Sequence, residues 1–312
     1  MAKVRRVPVT ELQPGDLLAR DVLSDDGRIL LSAGARLTRT FIEHLKQYKI
    51  EAVYVPDAPR PVRPAPEVSR RVRLEVAKEL RQLTDNLRRT MQQATTTLQL
   101  PQLHIDTSGV RRAVVYVVRE VLTHPVAALP LQELREADEY TLLHSVEVCL
   151  LSTMIGRALG LRGPTLVDLA MGALLHDVGK VGIPQSVLNK PDRLTPEEVE
   201  IMKRHPTLGW VMLREQPDLP PEVALVALQH HERWDGQGYP LKLAGEQIHP
   251  WARICTVADV YDALTADRVY REGIHPTEAV AMMAGPMRGM FDPEVLHAFM
   301  ATIEQVRREG TA

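Results

Sequence analysis

The sequence is poor in cysteine and lacks long apolar runs, and each absence excludes a class of protein. Its two cysteines, Cys149 and Cys255, both lie in apolar segments, which predicts buried thiols rather than a disulfide. No apolar run approaches the roughly 20 residues of a membrane helix. The charged N-terminus is not followed by the apolar segment of a secretory signal. We therefore expect a cytoplasmic protein with no membrane span.

An excess of charge of one sign is also missing. The chain has 38 Lys and Arg against 40 Asp and Glu, a formal net charge of −2. Such a balance provides no general field for a nucleic acid or an anionic membrane, so neither is expected as a partner. What the chain does have is length and apolar content. Its 312 residues, 45% of them hydrophobic, predict about two globular domains with a substantial core.

Turn signals and periodicity divide the chain into four parts. Residues 1–56 combine short strand-like segments with one amphipathic helix, which predicts a small α+β domain. Residues 57–66 form a Pro-rich linker. Residues 67–130 predict a helical connector, and residues 131–312 are nearly all helical in pattern. The expected fold class is therefore mainly α, a helical bundle preceded by the small α+β domain and the helical linker.

The first long helix carries a seam of leucines that leaves two interpretations open. Leu80, Leu83 and Leu87 recur at three- and four-residue steps within a predicted exposed helix over 67–100. The seam either pairs with a second copy in a homodimer or rests on the following domain. The N-terminal domain shows no catalytic motif, which leaves it as a candidate surface for a protein partner.

The most informative stretch is the apolar segment that ends at His176 and Asp177. A carboxylate delivered from a buried helix without a partner costs several kcal/mol, or its pKa shifts until the group is neutral. A metal ion removes that penalty, since the cation compensates the ionised ligand. Gly179 follows, where we expect a tight turn, and Lys180 places a cation beside the site.

Four further segments present similar donors from apolar helices or their ends. Taken singly, Asp259 could be a structural hydrogen-bond acceptor and His144 a core histidine. Together, the donors form a nitrogen and oxygen ligand set without cysteine, which suits Fe or Mn as well as Zn and argues against a structural zinc site. Seven donors are too many for one ion with an open position and suit two ions that share a bridging carboxylate. The seven are His144, His176, Asp177, His205, His230, His231 and Asp259.

The segments His176–Lys180 and His230–Pro240 resemble the HD-GYP signature, a subgroup of the HD-domain phosphohydrolases. The similarity extends over roughly 131–300, and residues 1–56 are similar to a small domain that often precedes HD-GYP domains. The resemblance implies an all-helical bundle with metals in its interior. Some members bind a third metal through a Glu one turn before the first His. Here Tyr140 occupies that position, so two ions are expected.

By resemblance, the activity is hydrolysis of the second messenger cyclic di-GMP to pGpG, GMP or both, by a hydroxide that a dinuclear centre of Fe or Mn activates. His144, His176, Asp177 and Asp259 would hold one ion, and Asp177 would bridge to a second ion held by His205, His230 and His231. The implied catalytic residues are Asp177 and Lys180, and Lys180 would also bind the scissile phosphate. The implied substrate contacts are Gly238, Tyr239, Asp262, Arg268 and Arg271.

Two alternatives to this function stay open on the sequence. The first is an effector that binds cyclic di-GMP with little turnover and contacts a partner protein through its N-terminal domain or long helix. The second is an HD phosphohydrolase of another nucleotide, such as a hybrid cyclic dinucleotide. The complete set of seven donors favours the enzyme over the effector.

Overall fold

The computed structural model describes most of the chain and divides it into two compact units, Met1–Pro64 and Ala65–Ala312. The described residues are 4–12, 16, 18–20, 22–23, 29–31, 35, 37–48, 50–56, 67–93, 105–123, 140–190, 192–266 and 273–311. The division falls inside the predicted Pro-rich linker.

Two small antiparallel sheets and one helix make up the described part of the first unit. Strand β1 (Val4–Pro8) pairs with β4 (Ala52–Pro56), and β2 (Val22–Leu23) pairs with β3 (Ile29–Leu31). Helix α1 (Arg39–Gln47) begins after Thr38, whose side chain caps it by accepting a hydrogen bond from the Phe41 amide at 3.1 Å. In β4, Val53 and Val55 are buried while Tyr54 points outward, the alternation that lets a sheet cover one core.

The regular secondary structure in the described residues of the second unit is helical, so the predicted mainly α class is confirmed. Its helices are α2 (Glu67–Gln93), α3 (Ser108–Thr123), α4 (Tyr140–Ala158), α5 (Gly163–Leu175), α6 (Gln185–Leu188), α7 (Pro196–Met202), α8 (His205–Leu213), α9 (Pro221–Gln229), α10 (Pro250–Thr265), α11 (Pro276–Ala284) and α12 (Pro293–Thr311). Helix α7 starts with a capping box formed by Thr195 and Glu198. Pro206 occupies the first turn of α8, a position where proline is compatible with the start of a new helix.

Helices α4, α5, α9 and α10 form the middle of one continuous apolar core. The leucine seam of α2 belongs to the same core: Leu80, Leu83 and Leu87 are each at most 5% exposed. Of the two interpretations of the seam, the structure therefore favours packing on the following domain. The seam is buried because it covers apolar surface of the same unit.

Both cysteines are free and fully buried, Cys149 in α4 and Cys255 in α10. Burial raises the pKa of the Cys149 thiol to about 12 and that of the Cys255 thiol well above its ordinary value. They behave as small apolar residues, as predicted. Among the helices of the described residues, none combines the length and the apolar character needed to traverse a bilayer.

Candidate metal centre

Three of the predicted ligand histidines lie at helix ends, and this placement fixes which ring nitrogen faces the site. His176 caps the C-terminus of α5, His230 caps α9, and His205 follows α7 by three residues. The last four carbonyls of a helix have no intrahelical donor, so each ring can donate its Nδ1 hydrogen to one of them. Nδ1 of His176 lies 2.7 Å from the Ala173 carbonyl oxygen. The corresponding distances are 2.9 Å from His230 to Ala227 and 2.8 Å from His205 to Met202. Each Nε2 atom is left available as a donor to a metal.

His144 is held in a different way, because it lies inside α4, where the helix uses its own carbonyls. Its Nδ1 contacts the carboxylate of Asp262 on α10 at 2.7 Å, and its Nε2 lies 3.1 Å from Asp259 Oδ1. Burial disfavours the charged ring, but the hydrogen bonds to Asp259 and Asp262 outweigh it and raise the pKa of His144 to about 9. A metal ion at Nε2 would replace that proton.

Asp177 occupies the centre of the cluster, with each carboxylate oxygen facing a different half. Oδ2 lies 3.2 Å from His176 Nε2 and 3.9 Å from His144 Nε2. Oδ1 lies 3.3 Å from His205 Nε2 and 3.8 Å from His230 Nε2. Burial alone would raise the pKa of Asp177, but Lys180 and His176 hold it well below its usual range, so the carboxylate is ionised.

The donors form three groups of three residues. Within each group, the candidate ligand atoms all lie within 4.8 Å of one another. One group is His144, His176 and Asp259; a second is His205, His230 and His231; a third, His176, Asp177 and His230, joins them. Thus the structure brings all seven predicted donors together. Burial lowers the pKa of His231 to about 3 and the pKa values of His205 and His230 below their usual range, which keeps these rings neutral. Neutral imidazole is the form that binds metals.

Two buried atoms test whether this donor set fits a metal. Within the described part of the chain, His176 Nε2 and Asp177 Oδ1 are fully buried and lack a hydrogen bond of acceptable geometry, although polar atoms lie 3.2 and 3.3 Å away. Buried polar atoms are nearly always satisfied, so these two need another partner. Both atoms point into the centre of the cluster, and the surrounding donors are imidazole and carboxylate. The arrangement therefore fits divalent metal ions.

Lys180 borders the cluster as predicted. Its Nζ lies 2.5 Å from Asp177 Oδ2, and its side chain is 27% exposed. The residue belongs to a 3₁₀ turn, Val178–Gly182, that follows directly from α5. A partly exposed ammonium group next to the buried carboxylate provides a cation at the rim of the cluster, where an anionic substrate would arrive.

The loop after α9 folds back over the histidines. The ring of Tyr239 stacks on that of His231 with centroids 4.7 Å apart, and its amide donates to the His231 carbonyl at 3.1 Å. A Cβ atom at Gly238 would lie 2.5 Å from the Glu232 Cα, so only glycine permits this approach. The buried Glu232 carboxylate accepts hydrogen bonds from the amides of Leu241 and Leu243 at 2.6 and 3.0 Å. Sequence reasoning missed this role of Glu232, because the acceptor and donors are nine and eleven residues apart.

One predicted substrate contact is corrected. Asp262 was expected to line the nucleotide side, but its side chain is fully buried behind His144. The reason is the helical step of three residues from Asp259 to Asp262, which places both carboxylates on the α10 face that meets α4. The other two predicted contacts, Arg268 and Arg271, lie outside the described residues.

The tight turn expected at Gly179 is present as the 3₁₀ turn Val178–Gly182, but the glycine is needed there for a different reason. Its backbone does not adopt the left-handed conformation of a tight glycine turn. Instead, a Cβ atom there would lie 2.0 Å from the His205 carbonyl oxygen and 2.5 Å from the Gly209 amide nitrogen. Glycine is needed because the 3₁₀ turn and the start of α8 touch through their backbones.

Residues 126–295 match the family model described as an HD domain. A Pseudomonas aeruginosa protein named cyclic di-GMP phosphodiesterase is 44% identical over 199 residues, which cover 64% of this chain and 48% of that protein. A Xanthomonas campestris protein named cyclic di-GMP phosphodiesterase response regulator is 43% identical over 157 residues, which cover 49% of this chain and 42% of that protein. The matched regions thus span about half the length of these curated relatives or less.

Among solved structures, an HDG"Y"P protein from Bdellovibrio bacteriovorus superposes with a TM-score of 0.60. The match covers 97% of this chain and all of that one, at 18% sequence identity. At this identity the likeness shows a shared fold.

Proposed function

The chain belongs to the HD-domain family, and we propose that within it this protein hydrolyses cyclic di-GMP in a metal-dependent reaction. The observation that carries the proposal is Asp177, a buried, ionised carboxylate whose two oxygens face two separate groups of imidazoles. The relatives named cyclic di-GMP phosphodiesterases support the choice of substrate.

HD-domain phosphohydrolases depend on metals, and the finer proposal is a pair of divalent ions, Fe or Mn. His144, His176 and Asp259 would hold one ion, His205, His230 and His231 the other, and Asp177 would bind both. When bound, such a pair supplies an activated water and stabilises the attacking and leaving oxygens of phosphoryl transfer.

The chain's own residues bind and orient the substrate around that centre. Lys180 provides positive charge for the scissile phosphate, and its link to Asp177 keeps the ammonium group at the rim of the cluster. Gly238 lets the loop approach closely, so that Tyr239 covers His231 and limits the access of water. In the reaction, water adds to phosphorus as the bond to a ribose 3′ oxygen breaks, which gives linear pGpG and, after a second cleavage, GMP.

Hydrolysis by purified protein, with metal content measured in parallel, tests this proposal. About two Fe or Mn per chain and the appearance of pGpG or GMP are expected, with loss of activity after chelation and recovery on metal addition. Hybrid and adenine cyclic dinucleotides in the same panel test the alternative substrate class. Bound metal with tight cyclic di-GMP binding and no product would instead identify an effector.

The remaining sequence-based expectations stay predictions. They include the roles of Arg268 and Arg271, a homodimer through residues 67–100, a protein partner for the N-terminal unit and a cytoplasmic location. Because the buried α2 seam is occupied within its own chain, a dimer through this helix would have to use another face.

A further inference from the structure

We propose that Asp262 is a positioning residue that sets the affinity of one metal position, the one that contains His144. This inference rests on the proposed function, because it assumes that the cluster binds metal. It assigns to Asp262 a task within the protein interior rather than a contact with substrate.

The first argument is the contrast among the histidines. His176, His205 and His230 each donate Nδ1–H to a carbonyl at the end of a helix, between 2.7 and 2.9 Å. His144 alone among these four uses a carboxylate from another helix, because an interior position of α4 has no spare carbonyl. Without Asp262, the His144 ring would lose the acceptor observed at its Nδ1.

The second argument is charge. A main-chain carbonyl is a neutral acceptor, whereas the acceptor at His144 Nδ1 is a carboxylate oxygen, Asp262 Oδ2, at 2.7 Å. A charged acceptor makes the imidazole a stronger donor through Nε2 and fixes the tautomer in which Nε2 is free. His144 Nε2 faces Asp259 and Asp177, not the second group of histidines. The effect of Asp262 should therefore be confined to one of the two positions.

The third argument is burial. The Asp262 side chain has no exposed surface, so it cannot contact a substrate outside the protein without a rearrangement of α4 and α10. Those two helices are tightly packed against each other along the central core. The carboxylate is thus fixed relative to His144, which is the property that a positioning residue requires.

The test is a metal titration of the metal-free protein, without substrate, in which Mn²⁺ or Co²⁺ binding to two positions is resolved. Asp262→Ala should weaken one of the two binding steps by about 10- to 100-fold and leave the other unchanged. Asp262→Asn keeps an oxygen acceptor and removes the charge, so its loss at the same step should be smaller, about fivefold to tenfold. Asp168→Asn is the matched control, since Asp168 pairs with Arg111 on another surface of the unit.

A second variant, His205→Ala, identifies which metal position Asp262 affects. His205→Ala should remove the other position and leave one binding step, which Asp262→Ala should then weaken by the same factor. Wild-type affinity at both steps in Asp262→Ala, or an equal loss at both, would overturn the inference. If Asp262→Ala does not fold, wild-type metal affinity of Asp262→Asn at both steps would overturn the inference. Failure of the wild-type protein to bind metal would count against the proposed function instead.

Discussion

A Cβ atom at Gly179 would lie 2.0 Å from the carbonyl oxygen of His205, 26 residues further along the chain. The glycine therefore decides how closely the turn after Asp177 approaches the helix that begins at His205. Asp177 Oδ1 and His205 Nε2, which are 3.3 Å apart, belong to the two segments that meet at this contact. A substitution at Gly179 should therefore weaken metal binding, although Gly179 is not itself a metal ligand.

Gly179→Ala should push α8 away from the turn and displace His205. Overpacking of this kind costs about 1–3 kcal/mol of stability, and we expect at least about tenfold weaker metal binding. Thermal unfolding and metal titration measure the two effects. Gly289→Ala is the control, because a Cβ atom at Gly289 meets open space. Wild-type metal affinity in Gly179→Ala would show that the contact does not position His205.

Asp177→Ala should abolish hydrolysis of cyclic di-GMP and reduce bound metal to less than one ion per chain. The reason is that both halves of the cluster lose their shared carboxylate. Product analysis and metal analysis of the same preparation are the measurements. A variant that still hydrolyses the substrate at the wild-type rate would refute the bridged two-metal mechanism.

A chain shortened to residues 57–312 should retain the metal centre. All seven donors lie in the second unit, which has its own continuous core, and the first unit has a separate one. We expect unchanged metal content and a folded helical spectrum by circular dichroism. Loss of bound metal from a folded, shortened protein would mean that the N-terminal unit supports the site.

Arg73→Met should destabilise the second unit strongly. The Arg73 guanidinium and the Glu147 carboxylate are 2.9 Å apart, and both side chains are only 6% exposed. Removing one partner of a buried pair leaves an uncompensated charge and costs about 3–5 kcal/mol. The exposed pair Lys78–Glu75 on the same helix provides the control, since Lys78→Met should cost less than about 1 kcal/mol. Denaturant unfolding compares them, and equal effects would contradict the difference in burial.

Neither cysteine should react with a thiol reagent in the folded protein. Burial blocks access, and a pKa of about 12 leaves about one part in ten thousand of the Cys149 thiol ionised at pH 8. Two thiols per chain should react once the protein is unfolded in denaturant. Rapid reaction in the folded state would show that α4 or α10 opens locally.

Local pattern was sufficient to predict the helices and the donors. The Thr195 cap, the restart at Pro206 and the paired histidines after α9 each depend on residues within a few positions of one another. The seam of α2 was visible in the same way, but its partner was not. A helix face shows that it must be buried, and only the packed structure shows which surface covers it.

Three site features escaped the sequence because each joins distant parts of the chain. Asp262 was assigned to the substrate, yet it meets a histidine 118 positions earlier. Gly179 was assigned to a turn, yet it makes room for a backbone in another helix. Glu232 lies within the family motif but was given no role, although its carboxylate accepts hydrogen bonds from the amides of Leu241 and Leu243.

The sequence by itself determined the chemistry of this protein. It shows which metal donors are present and that they lie within apolar helices or at their ends. It also shows that the donors are too many for one ion. Only the tertiary structure decided the arrangement, in which Asp177 turns one oxygen toward each group of histidines and Asp262 supports His144 from behind. The physical reason is that donor types and helix ends follow from short-range periodicity and capping. Distances between donors depend on how five helices, α4, α5, α8, α9 and α10, pack against one another, and that packing involves residues far apart in the chain.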